Sequence, residues 1–374
     1  MSYLNEKTFI LSPIDWIRVN EITNQRLSIV DNNSTYWYPI NSVSFKREPL
    51  YIIEFNDGAS TIVSSDHRFK VKSTNNLNTN WITKTVSELI VLTKAHNLNP
   101  PAINNYCCYG YCLPKQEPPT INNWVVESLT TPINFPEQNR CISPPHWIGV
   151  MIGKGLLGQD EPMVQLDQEL YEIMMRQCPN VRRYELTLLN KEERLYGFSD
   201  FVDSPSGLSN YVTEMKNLDL MDSTICDRTI HKSLIFTDVT DRIALLRGIF
   251  DAVGYIDIRD GQLKVRVRSE PLARDLYFLI RSVGGWATVE SSGIGTSWVV
   301  TAYSPKGNPL AFRKSLIVNS RLNLDPPFPI RYLKSIKPYE GSAIQDSTFI
   351  SSVSANGSLI SNSFSNLDLI LSRP

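Results

Sequence analysis

Three sets of residues carry groups that could do chemistry. His67 closes the run Ser64-Ser65-Asp66-His67, and imidazole is the side chain whose proton moves near neutral pH. With no nucleophile beside it, a lone histidine reads as a hydrogen-bonded fold residue before it reads as a catalyst. In Leu263–Ser269 (LKVRVRS), alternation sets Lys264, Arg266 and Arg268 on one face of a strand and Leu263, Val265 and Val267 on the other. Such a face meets either a polyanion or plain solvent. Cys107, Cys108 and Cys112 cluster in NNYCCYGYCLP. A zinc site takes four ligands, and no second Cys pair or Cys-His pair stands nearby at ligand spacing, so a packed Tyr/Cys-rich loop is expected and no metal.

The elements that must position these groups change character along the chain. Residues 8–73 break into short runs, TFILS, WIRVNEI, RLSIVD, YWYPINSVSF, LYIIEF, STIVSS and HRFKVKS, with DNNS and NDG at turns. Strands at such short, even spacing predict an all-β module. Residues 74–140 are rich in Asn, Pro and Thr and read as a long decorated connection. After Pro144-Pro145 comes an apolar, Gly-punctuated helix (HWIGVMIGKGLLG), then MVQLD, the helical DQELYEIMMRQC and the strand RRYELTLLN. A second apolar segment, DRIALLRGIFD, precedes QLKVRVRSE, the helix PLARDLYFLIRSVGG and the strands WATVES and SWVVTAYS. The two halves share their order of elements, an internal repeat of roughly 100 residues. Beyond Pro326-Pro327 the chain returns to short β-like runs.

Composition sets outer bounds. With 374 residues, 42% hydrophobic and 20% charged, the chain is long enough for two domains and ordinary for a globular protein. Lys+Arg 37 against Asp+Glu 38 leaves a net charge of -1, so any polyanion binding must be local. No long apolar run and no signal-peptide pattern occurs, and six irregularly spaced cysteines do not make a disulfide framework. A soluble intracellular protein, cytoplasmic or nuclear, with no membrane partner is expected.

Two parts of the chain resemble known families. DRIALLRGIFDAVGYID (Asp241–Asp257) resembles the second motif of LAGLIDADG homing endonucleases, with Leu246–Gly254 on its nine residues; WIGVMIGKG (Trp147–Gly155) looks like the first copy. The resemblance implies that glycines at motif positions three and nine let two helices pack closely, and that acids at position eight hold divalent metals over DNA. It also implies a DNA-saddling sheet, where the basic face of Lys264, Arg266 and Arg268 would suit phosphates and guanine edges. Around this segment, TFILSPIDWIRVNEI and FNDGASTIVSSDHRFKV resemble N-terminal blocks of the intein (Hint) β-fold, and RYLKSIKPYEG and FISSVSANGSLISNSF its C-terminal blocks. The expected fold is mixed: an all-β Hint-like module from residues 1–140 and 326–374, with an α/β LAGLIDADG double repeat inserted at 141–325.

Residue by residue, the chemistry that the resemblance implies is missing. Tyr3 stands where splicing needs Cys or Ser, with Ser2 one residue off, and Asp368-Leu369 stand where His-Asn belongs. Only His67 is in place, as a vestige. Position eight is Lys154 in the first copy and Val253 in the second, an ammonium and an isopropyl group where Mg²⁺ needs hard oxygens. Asp160, Asp251 and Asp257 are nearby, and Asp251, at position six, should face the far side of its helix. Glu161, Asp167, Glu169 and Glu172 crowd the first repeat and oppose DNA there. The expectation is a degenerate relative, with splicing and metal-dependent cleavage lost, double-stranded DNA as the partner, no cofactor unless cleavage survives with Mg²⁺, and a pseudo-two-fold monomer. The alternatives are an active site-specific endonuclease with relocated acids, and a free-standing DNA- or protein-binding module.

Overall fold

Leu50–Phe55, Ser60–Ser64 and Arg68–Ser73 alternate buried and more open residues, and each forms a strand with one face on a core. The computed structural model describes residues 3–5, 9–11, 16–18, 25–31, 34–40, 42–47, 50–56, 60–74, 80–97, 124–126, 131–135, 143–157, 162–177, 184–200, 210–221, 223–259, 261–292, 297–305, 309–314, 316, 331–338, 346–351 and 370–371. Contacts divide the chain into two units, one of residues 1–136 and 327–374, the other of residues 137–326.

The first unit opens with β1 (Tyr3–Asn5), β2 (Phe9–Leu11), β3 (Trp16–Arg18), β4 (Gln25–Asp31), β5 (Ser34–Ile40), β6 (Ser42–Arg47), β7 (Leu50–Phe55), β8 (Ser60–Ser64) and β9 (Arg68–Ser73). The run YWYPINSVSF is thus two strands, not one. β10 (Ile82–Thr85), α1 (Val86–Asn97) and β11 (Trp124–Val126) lie inside the stretch expected to be connection only. Their signal was present: Thr85-Val86-Ser87-Glu88 is a capping box, with Thr85 N donating to Glu88 Oε2 at 2.8 Å and Glu88 N to Thr85 Oγ1 at 3.2 Å. Val86 and Leu89 of α1 then bury against Ile53, Phe55, Val63, Phe69 and Val71.

The second unit is a repeated α-β-β-α-β-β path. Its first pass is α2 (Pro145–Lys154), β12 (Gly155–Leu156), β13 (Met163–Gln165), α3 (Gln168–Gln177), β14 (Tyr184–Asn190) and β15 (Leu195–Asp200), followed by α4 (Asn210–Asn217) and α5 (Lys232–Ile235). Its second pass is α6 (Val239–Val253), β16 (Gly254–Asp257), β17 (Gln262–Val267), α7 (Glu270–Ser282), β18 (Trp286–Ser291) and β19 (Trp298–Tyr303). The antiparallel sheets run β12-β13-β15-β14 and β16-β17-β19-β18, the same order twice. The sequence pattern had one strand after the first helix of each pass. β12 and β16 were missed because two to four residues are too short to show a period.

Returning to the first unit, β20 (Arg331–Pro338), β21 (Asp346–Ser351) and β22 (Ile370–Leu371) pair with the N-terminal strands. The described strands form a nine-stranded sheet, β10-β9-β11-β20-β7-β8-β1-β21-β6, beside the sheet β22-β2-β3 and the hairpin β4-β5. Among the described residues, no helix is long and apolar enough to cross a membrane.

Candidate nucleic-acid interface

The site is built on the seam between α2 and α6. A Cβ on Gly149 would collide with the Leu245 carbonyl and stand 3.0 Å from Gly248 Cα; one on Gly248 would fall on the His146 carbonyl. Only glycine permits this approach. One turn on, Gly153 faces Ala252 and Val253. The contacts advance together, so the helices run side by side in the same direction and reach their C-terminal ends together. Those ends match: α2 stops at Lys154 and α6 at Val253, and the next residues, Gly155 and Gly254, donate N–H back to Met151 and Phe250 carbonyls. Lys154 and Val253 are both half-buried there.

Arg228, which no motif singled out, sits at this junction. It is 5% exposed, and its guanidinium donates to the Ile152 carbonyl at 2.7 Å and the Gly155 carbonyl at 3.2 Å. It therefore closes the C-terminal end of α2, where the helix dipole leaves roughly half a negative charge. Burial pulls its pKa down, although an arginine stays charged in a protein. The two helix ends, Arg228, Ile225, Arg266–Arg268, Leu272 and Ser297 enclose a cleft of about 510 Å³. Among the described residues, no carboxylate is in its wall.

The three acids near this junction are otherwise employed or out of view. Asp251 is 1% exposed and accepts from His146 Nε2 at 3.0 Å and from the backbone N–H of Phe312 and Arg313 at 2.7 and 2.9 Å. It pins the chain after the second repeat to α6. Asp257 takes Lys264 Nζ at 2.9 Å and Arg259 Nη2 at 2.8 Å. Hydrogen bonds from Arg259 and then Lys264 hold its carboxyl far below the usual carboxylate range. Asp160, like Ser2, Cys107, Cys108, Cys112 and Asp368-Leu369, lies outside the described residues. Among the described residues no three His, Cys, Asp or Glu side chains converge. Side chains of Lys154, Val253 and Arg228 do not fit Mg²⁺, which takes oxygen ligands.

On β17, Leu263, Val265 and Val267 are buried, Arg266 is exposed and Arg268 follows it in the open. Lys264 differs from the expected open cation: its side chain is 13% exposed and bound to Asp257. Cross-strand pairs put Tyr255, Lys264, Thr301 and Thr288 in one row of this face, and Arg266, Val299 and Glu290 in another. The matching strand of the first repeat, β13, has only Met163 and Gln165 on its open side. Of the acids expected to crowd that half, Asp167 and Glu169 are bound by Arg313 at 2.8 and 3.4 Å. Burial raises the Asp167 pKa, but the Leu170 amide, Arg313 and Lys154 together carry it below its ordinary value.

His67 belongs to the other unit. It is fully buried in the turn after β8, its backbone N–H on the Ser64 carbonyl at 3.1 Å and its ring edge-on to Phe69 at 4.9 Å. Leu4 pairs with Val63, so the strand that begins at Tyr3 runs beside this turn.

Asp257→Asn tests the electrostatics of the interface. Because the folded pKa is depressed, the carboxylate adds stability above its unfolded pKa of about 3.9, lost as pH falls through the lower folded value. The variant should therefore show a weaker loss of stability between about pH 4 and 2 than wild type, read from denaturation midpoints.

No family model matches the chain, and no curated protein matches it. Among solved structures it is similar to the gp41-1 intein, with 18% identity over 24% of this chain and 61% of that one, at a TM-score of 0.19. It thus spans less than two thirds of that intein. It is similar to I-DmoI in complex with DNA and Ca, with 12% identity over 47% of this chain and 95% of that one, at a TM-score of 0.31. For I-DmoI in complex with DNA and Mn the figures are 13% identity, 42% and 88%, and 0.28. These similar structures are an intein and a homing endonuclease.

Proposed function

We propose that this chain is an intein-type relative of the LAGLIDADG homing endonucleases that binds double-stranded DNA and has lost metal-dependent cleavage and splicing. The first unit is its Hint-like module and residues 141–325 its endonuclease-like insertion, a monomer whose two repeats supply the pseudo-two-fold axis. One observation carries the reading: two helices packed on Gly149 and Gly248 end on Lys154 and Val253, with Arg228 over the end of α2. The packing is that of the LAGLIDADG resemblance, while the groups at its base repel or ignore a cation. Duplex DNA is favoured by Arg266 and Arg268, exposed at and just beyond the end of one strand of a polar sheet face. The active-endonuclease alternative would draw on Asp160, Asp251 or Asp257; Asp160 lies outside the described residues, and the other two carboxylates are committed to other partners.

Incubation of the protein with a plasmid library and Mg²⁺ or Mn²⁺ should neither nick nor linearise it. Val253→Asp should be equally inactive, because Lys154 and Arg228 remain to neutralise the new carboxylate. Divalent-dependent double-strand cleavage by the unaltered protein would overturn this reading.

A further inference from the structure

We propose that the outer face of β9 and β10, at the rim of the nine-stranded sheet, is a contact surface for single-stranded nucleic acid. Arg68, Lys70 and Lys72 follow its phosphates, and Trp81 stacks on one of its bases. The surface belongs to the first unit, and the inference stands independently of the duplex reading given to the second.

Alternation on β9 sends Phe69 and Val71 into the core, where Val86 and Leu89 of α1 pack with them, and Arg68, Lys70 and Lys72 to the opposite face. Three cations on alternate residues of one strand make a straight row at intervals of about 6.6 Å. β10 is the rim strand of the described sheet, and its register sets the neutral side chains of Thr83 beside Lys70 and Thr85 beside Arg68. The next pair along this face is Lys72 with Trp81, and Lys72 Nζ stands 4.8 Å from the centre of the indole ring. Trp81 is 39% exposed. On the inner side, Val125 of β11 pairs with Lys72 and is buried, so the open strip is two strands wide. The acids Asp66 and Glu88 stand at the Arg68 end of the strip, and Glu88 is bonded to the Thr85 amide and to Lys84.

Charge and shape together select the partner. An acidic peptide would satisfy the cations but gives the indole nothing flat to stack on. A duplex keeps the faces of its bases inside its own stack. A single strand offers phosphates and open bases at once, and a row of cations beside an aromatic ring suits both. Lys72 covers one face of the indole by cation–π attraction, which leaves the base to the other face.

The test is fluorescence anisotropy of a labelled oligothymidylate with the full chain in EDTA, with a duplex-binding titration run in parallel. The strand should bind with a salt slope of about 0.7 per phosphate neutralised, and polyglutamate should not displace it. Trp81→Leu, at a partly exposed rim position, should weaken the strand at least about fivefold and leave duplex binding as in wild type. Trp81→Phe, which keeps a ring, should recover part of the loss. Lys70→Ser with Lys72→Ser should reduce the salt slope by about 1.4, two phosphates at about 0.7 each. No binding of the strand, equal affinity in Trp81→Leu, or an unchanged salt slope in the lysine variant would overturn the proposal. Displacement by polyglutamate as effective as by unlabelled strand would overturn it too, and would make the strip a general anion surface. A wild-type protein that binds the strand as described but ignores duplex would uphold this surface and sink the duplex reading instead.

Discussion

Gly248→Val is expected to unfold the 137–326 unit rather than merely loosen it. The added Cβ would occupy the space of the His146 carbonyl, with Val150 N at 2.9 Å, and both are helix backbone that cannot swing aside. Relief requires α2 and α6 to separate along their whole seam, which exposes Ile148, Ile152, Leu245 and Ile249, all now buried. Overpacking alone costs about 1–3 kcal/mol, and losing the seam carries the total past about 4 kcal/mol, the range of exceptional substitutions. Urea denaturation followed by tryptophan fluorescence reads this directly. Gly197→Ala is the matched control, because its Cβ would meet only the tip of the Leu189 side chain at 3.0 Å. It should cost less than about 1 kcal/mol.

Arg266→Ala should cause the largest loss of duplex binding among single changes in the sheet. It is exposed on β17, on the polar face, and a bidentate contact to guanine is worth roughly 1–3 kcal/mol. Binding should weaken with salt at a slope of about 0.9 per phosphate neutralised. Lys264→Ala should matter less, because the ammonium already serves Asp257 and its removal leaves that acid paired only with the exposed Arg259. The footprint should be lopsided. The second repeat carries the cations, whereas the open side of β13 carries Met163 and Gln165. Binding isotherms for the two single variants at two salt concentrations check the order, and a larger effect at Lys264 would reverse it.

Much of this arrangement was legible in the residues, and what was not has physical causes. The helices α2, α3, α6 and α7 announced themselves by apolar period, and the glycines at Gly149 and Gly248 by their place in a repeated pattern. Strands β12 and β16 were too short for a period to show. The helix α1 was hidden in an Asn-rich stretch, although Thr85 and Glu88 stood at capping-box spacing. Lys264 read as open because alternation gives the face of a strand but not the partner across a hairpin; register brings it to Asp257. Arg228 could not be found at all. Its partners, Ile152 and Gly155, lie 76 and 73 residues earlier and are backbone carbonyls, which any sequence would supply. Asp251 was expected to face the far side of its helix, yet its carboxylate accepts from His146 of α2, and its two backbone amides come from a segment with no period of its own.

The most direct test of the central claim is fluorescence anisotropy of a labelled random duplex in EDTA, at low and moderate salt, with wild type and a Lys264→Ala, Arg266→Ala, Arg268→Ala variant. The account expects wild type to bind without divalent metal and to weaken as salt rises, and the variant to lose most of that binding. Absent binding, or equal and salt-insensitive binding by both proteins, would contradict it and leave the β17 face an ordinary solvated surface.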